Sequence, residues 1–350
     1  MFKLNSLIRP NIIRLKAYSS ARDEFKGEAE VFLDANENPF GDLNRYPDPN
    51  QLEIKKKLSK IKKINKDQIF IGNGSDEVID LVYRIFCEPG IDKALTFSPT
   101  YGMYDVSAAI NNIELIKVPL NNNFEIDTKE LDRYIKDENL KVIFICSPNN
   151  PTGNSFDRTS VEYILNNFNG IVVVDEAYID FSSRESCISQ LNDFPNLIVC
   201  QTFSKAWGLA GVRVGAAYST PEIIDWFKKV KPPYNVSSLN QEAVLSRLEN
   251  KAQFEIEKNI ILNEKEKIIK RFQELKLVKK IYPSEANFIL IEVINANDLY
   301  ENLVNQRIIT RNRSKLVRNG LRITVGSKQE NDRLIQAMER ISKQSLTPKT

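Results

Sequence analysis

The sequence predicts an α/β protein with a mostly parallel sheet, and two changes of pattern along the chain support this class. Between residues 50 and 235, short apolar runs of strand length alternate with segments of helical spacing. Because parallel strands need a crossover connection, which is usually a helix, this alternation is typical of a parallel sheet covered on both faces. After residue 235 a long charged helical stretch precedes the next strands, which predicts a separate, smaller α+β domain.

The elements of the first region follow from periodicity and residue type. A predicted strand is a short apolar run rich in Val, Ile or Phe, and a predicted helix has apolar residues three and four positions apart. The predicted strands are residues 68–72, 94–98, 113–120, 141–146, 171–176 and 196–204. The predicted helices are residues 51–61, 75–87, 101–110, 128–138 and 160–168. Ser75 and Asp76 are of the residue types that cap helices, so we expect them to open the second helix.

The same criteria divide the remainder of the chain. Helices are predicted at residues 238–275, 297–305 and 328–342, and strands at residues 279–293, 308–310 and 321–326. A length of 350 residues suits two domains. We therefore predict an N-terminal arm that joins the small domain (1–40), a large domain (41–235) and a small domain (236–350).

Composition excludes several classes of function. Lysine and arginine number 49 against 46 acidic residues, a net charge of +3 that gives no footprint for nucleic acid. No apolar run approaches the roughly 20 residues that span a bilayer. The four cysteines are widely spaced without a C-x-x-C pair, so we expect no disulfide framework and no metal site, and a reducing, cytoplasmic location. Residues 1–22 are basic and lack acids, as in a mitochondrial presequence, although Pro10 favours a mature arm.

The chain contains no histidine. This excludes Ser-His-Asp and Cys-His catalysis, histidine-ligated metals and the usual general base near neutral pH. Any proton transfer must therefore use a lysine, a carboxylate, a tyrosine or a cofactor.

Two of the polar motifs that follow predicted strands suit binding of a rigid polar ligand. GNGSDE (72–77) lies between a strand and a helix, where glycines allow close approach and the helix N-terminus attracts an anion. It is neither a dinucleotide fingerprint nor a Walker loop, because it lacks the third glycine and the lysine. SPNNPTGN (147–154) is stiffened by two prolines, so Asn149 or Asn150 can present an amide at a set position.

Two further motifs carry ionisable groups at strand ends. VVVDEAYIDF (172–181) places Asp175 at the end of a buried strand, a costly position unless the carboxylate meets a cation. In TFSKAWGLAGVRVG (202–215), Lys205 follows a strand among small residues. Partial burial and the nearby Arg213 are expected to lower the pKa of Lys205 and make it a usable nucleophile.

Together the four motifs match the needs of pyridoxal 5'-phosphate at adjacent strand ends. Lys205 would bind its aldehyde covalently, and Asp175 would keep its ring nitrogen protonated. The helix N-terminus, Ser204 and Arg213 would hold its phosphate. The remaining contacts would come from polar and aromatic side chains beside the ring: Asn150, Tyr178 and Tyr101.

These motifs resemble those of the fold-type-I pyridoxal-phosphate aminotransferases and, within them, the histidinol-phosphate aminotransferase family. SPNNPTG, VVDEAY and SKAWGLAGVRVG are typical of the superfamily. The narrower family is indicated by RPNIIRLKAY, LDANENPFG, NRYPDP, GNGSDE, and RNRS followed by GLRITVG. The resemblance covers about residues 9–340 and implies a seven-stranded sheet, transamination between L-histidinol phosphate and 2-oxoglutarate, and a role in histidine biosynthesis.

The resemblance also implies roles for individual residues. Lys205, Asp175 and Tyr178 are the implied catalytic residues, and Ser75, Asp76 and Thr202 join the phosphate site. Tyr46 resembles a tyrosine that reaches the cofactor of a neighbouring subunit, which implies a homodimer with shared sites. Further residues are implied in substrate binding: Tyr18, Asn36, Asn150, Arg311 and Arg322.

Some alternatives remain open at this level. The substrate anchor near Arg311 and Arg322 could involve Arg313 or Arg318, because this segment carries extra basic residues. Aromatic aminotransferases and threonine-phosphate decarboxylases share the same cofactor motifs. A non-catalytic cofactor-binding regulator is disfavoured, because residues 1–30 are too short for a DNA-binding segment.

Overall fold

The structure, a computed structural model, describes residues 3–18 and 30–344 and contains two sheets. The larger sheet has seven strands in the order β1-β7-β6-β5-β4-β2-β3. Only β7 runs antiparallel to its neighbours. The strands are β1 (Ile69–Gly72), β2 (Lys93–Ser98), β3 (Glu114–Pro119), β4 (Leu140–Cys146), β5 (Ile171–Asp175), β6 (Leu197–Thr202) and β7 (Gly215–Tyr218). This confirms the predicted α/β class with a mostly parallel seven-stranded sheet.

Helices cover both faces of this sheet. They are α1 (Pro10–Arg14), α2 (Leu52–Lys62), α3 (Ser75–Phe86), α4 (Met103–Ile110), α5 (Thr128–Leu131), α6 (Arg158–Asn167) and α7 (Pro221–Val230). In β5, Val172 and Val174 join the apolar cluster on one face of the sheet, whereas Ile171 and Val173 join the cluster on the other. Because side chains alternate along a strand, the terminal Asp175 continues the face of Ile171 and Val173, on which α3 and α4 pack.

The second sheet has four antiparallel strands in the order β10-β11-β9-β8. Its strands are β8 (Val278–Ile281), β9 (Phe288–Val293), β10 (Arg311–Asn312) and β11 (Gly320–Thr324). The helices of this part are α8 (Ser238–Glu249), α9 (Lys251–Gln273), α10 (Ala296–Asn305) and α11 (Lys328–Gln344). A separate apolar cluster fills the space between this sheet and helices α9, α10 and α11.

Several sequence-based element assignments differ from the structure. The predicted helix at 238–275 is broken at Asn250 into α8 and α9, and the predicted helix at 128–138 is only the single turn α5. The predicted strand at 308–310 is irregular, and pairing begins at Arg311. Strand β7, with the sequence Gly-Ala-Ala-Tyr, was not predicted from the residues, since small residues carry little strand propensity and only pairing between β1 and β6 defines it.

The expected Ser75/Asp76 cap of α3 is wrong. The N-cap position is Gly74, whose φ is 78°, and no side chain caps the helix. Ser75 and Asp76 instead occupy the first turn, so the amides at this helix start face outward without an intrahelical partner.

The start of the N-terminal arm packs on the large domain. Ile8 and Ile12 are buried in the apolar cluster on the sheet face that α3 and α7 cover, and Arg9 N donates to Ile85 O at 3.0 Å. The expectation that this arm joins the small domain therefore does not hold for its first residues. Residues 19–29 of the predicted arm lie outside the described residues, and the three-part division of the chain stays a prediction.

Candidate active site

A cavity of about 410 Å³ opens where the carboxyl ends of β4, β5 and β6 meet the start of α3. The small domain closes it with Arg311, Arg313 and Arg322. All predicted site residues except Tyr18, Asn36 and Tyr46 line this cavity. The open ends of a parallel sheet are where ligands bind in α/β folds, because helix starts and loops converge there.

One end of the cavity is suited to an anion. Arg213 Nη2 lies 3.1 Å from Asp76 Oδ2, and Tyr101 Oη donates to Asp76 Oδ1 at 3.1 Å. Gly74 has a φ of 78°, which favours glycine, and a Cβ there would lie 2.8 Å from Arg213 Nη2, so the guanidinium packs directly on the helix start. The uncapped amides of α3, the positive end of its dipole and Arg213 together suit an anionic group such as a phosphate.

The middle of the cavity contains a buried carboxyl. Asp175 is 2% exposed; its Oδ2 accepts from Tyr104 Oη at 2.8 Å and its Oδ1 from Ala177 N at 3.1 Å. Burial raises its pKa to about 6. Among the described residues, no side chain forms an ion pair with Asp175, and the charge of Lys205 offsets only part of the effect of burial on the Asp175 pKa. Sequence reasoning missed Tyr104; the signal was the second tyrosine of SPTYGMY, three positions after Tyr101.

Lys205 lies three residues after the end of β6, and it lines the cavity. Partial removal from water and, next, the guanidinium of Arg322 lower its pKa. The sequence-based expectation named Arg213 as the responsible cation, and the structure gives Arg322 the larger effect. The turn that carries Lys205 is anchored by Trp207, whose ring stacks on Phe254 with 4.0 Å between centroids.

The small-domain wall consists of three arginines on a β-ribbon. Arg311 and Arg322 are cross-strand neighbours on β10 and β11, and Arg313 follows in the connecting turn. The Nε groups of Arg313 and Arg322 are buried without a hydrogen-bond partner among the described residues. Mutual repulsion adds to burial in lowering the pKa of Arg313. Buried unpaired donors of this kind fit an anionic ligand group. Arg318, the other open alternative, does not line the cavity.

Arg322 also links strand β11 of the four-stranded sheet to the loop that follows β4 of the seven-stranded sheet. Its Nη1 donates to Asn150 Oδ1 at 2.5 Å, and its guanidinium lies 5.2 Å from the Phe288 ring centroid. Because the amide oxygen of Asn150 accepts this hydrogen bond from Arg322, the amide N–H groups of Asn150 remain to donate into the cavity. The other asparagine of the motif, Asn149, is buried among Thr100, Pro99 and Thr152 and has a structural role.

Three predicted residues lie elsewhere in the single chain. Tyr46 stacks on Tyr234 with 4.3 Å between ring centroids, and it lines a separate hollow of about 350 Å³ together with Asn36. Tyr18 is 70% exposed. The roles assigned to these three residues stay predictions. For Tyr46 the predicted role lies in a neighbouring subunit.

Comparison with known proteins identifies the family. Residues 10–338 match the family described as aminotransferase class I and II. The chain belongs to this family. Its amino-acid sequence is 52% identical over 342 residues to histidinol-phosphate aminotransferase of Parabacteroides distasonis, covering 97% of this chain and 99% of the relative. The corresponding enzyme of Christiangramia forsetii is 52% identical over 345 residues, covering 97% and 98%.

Two solved structures illustrate the shared aminotransferase fold. The histidinol-phosphate aminotransferase of Clostridium acetobutylicum has a TM-score of 0.79 at 23% identity, covering 86% of this chain and 92% of that chain. The enzyme of Sinorhizobium meliloti, in complex with pyridoxal-5'-phosphate, has a TM-score of 0.79 at 24% identity, covering 89% and 90%. In the described part of this aminotransferase, no helix is both long enough and apolar enough to cross a membrane.

Aminotransferases of this family use pyridoxal 5'-phosphate, and the cavity fits that group. The uncapped start of α3 with Arg213 matches its phosphate, and the unpaired carboxylate of Asp175 matches a cationic ring nitrogen. Lys205 supplies an amine for covalent attachment at the same cavity. The ring would lie between Tyr101 and the strand ends, within reach of Asn150 and Tyr178.

Proposed function

We propose that this aminotransferase transfers the amino group of L-histidinol phosphate to 2-oxoglutarate in histidine biosynthesis. The observation that carries the proposal is the arginine wall: Arg311, Arg313 and Arg322 line the same cavity as Lys205, and Arg313 and Arg322 each have a buried donor without a partner among the described residues. A phosphate on one substrate and a carboxylate on the other can each accept from such a wall. The names of the relatives at about half identity agree with this substrate.

The residues of the chain divide the work of amino transfer. When bound, pyridoxal 5'-phosphate supplies an electron sink for bond breaking at the substrate's α-carbon. Lys205 Nζ accepts the α-proton of the amino donor and later donates a proton to the α-carbon of the glutamate that is formed. Its lowered pKa favours the neutral amine, which is the form that accepts protons. Asp175 would stabilise positive charge at the ring nitrogen of the bound cofactor, and Asn150 and Tyr178 would orient the ring through its oxygen substituent.

The test is turnover of matched amino donors by the purified holoenzyme with 2-oxoglutarate, read as glutamate formed. L-Histidinol phosphate is expected to be the preferred donor, and L-histidinol, which lacks the phosphate, should lose at least about 100-fold in kcat/KM because buried arginine donors stay unpaired. Preference for L-phenylalanine, or release of carbon dioxide from L-threonine phosphate, would contradict the proposal and assign the chain to the aromatic or decarboxylase alternatives.

Replacing Arg322 by lysine should lower kcat/KM for histidinol phosphate by roughly 10- to 100-fold. Lysine keeps the charge but loses both the planar fork and the hydrogen bond to Asn150 Oδ1. The matched control is Arg318→Lys, an exposed position in the same domain that does not line the cavity. Equal effects of the two substitutions on kcat/KM would show that the arginine wall does not bind the substrate.

The proposal includes a homodimer with shared sites. Leu33, Phe40 and Leu43 are 90%, 82% and 64% exposed in the single chain, and Tyr46 lies in the same segment. An exposed apolar surface of this size is suited to burial against a second copy. The four cysteines are all free, which supports a reducing compartment and, with the biosynthetic role, the cytoplasm.

Sharing of sites predicts complementation between two variants. Tyr46→Phe should weaken pyridoxal-phosphate binding by about 10-fold through loss of a phenol–phosphate hydrogen bond, without changing the dimer mass in analytical ultracentrifugation. Mixed dimers of Tyr46→Phe with Lys205→Ala should regain one site of normal affinity, because the Lys205→Ala subunit supplies an intact Tyr46 to its partner. If mixing restores nothing, Tyr46 does not act across a dimer.

A further inference from the structure

The hydroxyl of Tyr104 donates a hydrogen bond to the central carboxyl of the site and also lies beside the Cys146 thiol. The residue is 0% exposed on α4, and its Oη donates to Asp175 Oδ2 at 2.8 Å. Its ring is fixed on two sides: it stacks on Phe144 with 4.9 Å between centroids and meets Tyr101 edge-on at 5.7 Å. The phenol therefore has little freedom to turn away from Asp175.

The backbone beneath Tyr104 is held as well. Tyr83 Oη donates to Tyr104 O at 3.0 Å from the neighbouring helix α3. Tyr83 is also fully buried, but it does not contact Asp175. The chain thus offers two buried tyrosines in the same cluster, of which only one hydroxyl acts on the carboxyl.

The ionisable groups around Asp175 come from the strands, helices and loops that surround it. They are Tyr101 before α4, Tyr104 on α4, Cys146 on β4, Cys200 on β6, Asp76 on α3, Tyr178 after β5, and Lys205 after β6. Burial raises the pKa of both cysteines and of Tyr104, so all three stay neutral and Tyr104 remains a donor. Tyr104 and the Ala177 amide are the two groups that hydrogen-bond the carboxylate, and each favours its charged form.

We propose that Tyr104 is a positioning residue that keeps the Asp175 carboxylate ionised and oriented for the ring nitrogen of the cofactor. Tyr104 occupies Oδ2, and the Ala177 amide occupies Oδ1, so the carboxyl plane is set before the cofactor binds. The ring of Tyr104 also packs edge-on against the ring of Tyr101. This inference rests on the cofactor of the proposed function and does not depend on which amino donor is used.

The test is Tyr104→Phe, which keeps the ring packing and removes the hydroxyl. In the apoprotein, the protonated-carboxyl infrared band of Asp175, identified by its absence in Asp175→Asn, should titrate about one pH unit higher than in the wild type. Binding of pyridoxal phosphate should be about 10-fold weaker near pH 6 and approach the wild-type affinity as the pH rises to 8.5. With the holoenzyme, kcat should fall while KM for the amino donor stays unchanged.

Tyr83→Phe is the matched control, because it also removes a buried tyrosine hydroxyl but keeps both donors to the Asp175 carboxyl, Tyr104 Oη and Ala177 N. It should lose stability without shifting the infrared titration or the pH dependence of cofactor binding. In the Asp175→Asn background, Tyr104→Phe should have little further effect on cofactor affinity, since both act through one contact.

Two outcomes would overturn the inference: an unchanged Asp175 titration in Tyr104→Phe, or the same profile for Tyr104→Phe and Tyr83→Phe. Failure of the proposed substrate would appear differently. In that case the titration shift of the apoprotein would persist while histidinol phosphate failed to turn over.

Discussion

Replacing Lys205 by alanine is expected to reduce amino transfer by at least about 10⁴-fold, the largest loss for any single substitution in this chain. The variant would lack both the amine that attaches to the cofactor and the group that moves the α-proton. Glutamate formation measures the activity, and the visible absorbance of the lysine-attached cofactor should be lost in parallel.

Two companion variants separate chemistry from charge and folding. Lys205→Arg keeps a cation beside Asp175 but cannot attach to the cofactor, so its activity should be as low as that of the alanine variant. Lys280→Ala removes an exposed lysine 4.5 Å from the Tyr282 ring, away from the cavity, and should retain wild-type activity. An active Lys205→Ala enzyme would rule out Lys205 as the reacting group.

Replacing Asp175 by asparagine should lower kcat by about 10³-fold, because a neutral amide cannot hold positive charge at the ring nitrogen. The loss should be mainly in kcat, since the arginine wall that binds the substrate is unchanged. Steady-state kinetics over a range of histidinol phosphate concentrations would resolve kcat from KM.

The same substitution should stabilise the apoprotein at higher pH. Burial gives the Asp175 carboxyl a pKa of about 6 when folded, against an ordinary 3.8. Because the folded state then holds the proton more tightly, the contribution of Asp175 to stability is complete below pH 3.8 and is lost as pH rises through about 6. The loss is about 3 kcal/mol, and Asp175→Asn escapes it. In urea unfolding, the free energy of unfolding of the variant relative to that of the wild type should therefore be higher at pH 8 than at pH 5.

Glu176→Gln is the control for both effects predicted for Asp175→Asn, the loss of activity and the gain in stability. Glu176 is also 2% exposed, but it points to the other face of the sheet. There its carboxylate accepts from Ser186 Oγ at 2.5 Å, Cys187 N at 2.7 Å and Gln201 Nε2 at 2.8 Å. This variant should keep its activity and lose stability. A similar loss of activity in both variants would show that Asp175 acts through folding and not at the cofactor.

Much of the site could be predicted because its chemistry is local in the sequence. Lys205, Asp175, Asn150 and the GNGSDE turn each follow an apolar strand, and parallel strands bring their carboxyl ends to one edge. Periodicity alone therefore placed the four motifs together. The same reasoning predicted that Tyr101 stacks on the ring but missed the hydrogen bond that Tyr104 donates to Asp175.

The errors arose where non-local contacts decide the outcome. Strand β7 consists of small residues and exists because β1 and β6 pair with it. The N-cap of α3 is Gly74, whose φ of 78° suits glycine and which lies against the guanidinium of Arg213, far along the chain. The cation that most lowers the Lys205 pKa is Arg322 of the small domain, more than 100 residues away in the sequence.

The sequence by itself determined the fold class and the cofactor and predicted the reacting groups, since each depends on residue types at the ends of periodic segments. Only the tertiary structure decided the electrostatics: the pKa shifts of Asp175 and of Lys205, the unpaired donors of Arg313 and Arg322, and the hydrogen bond from Tyr104 to Asp175. The physical reason is that pKa and hydrogen-bond satisfaction depend on burial and on neighbours from distant segments, which periodicity does not encode.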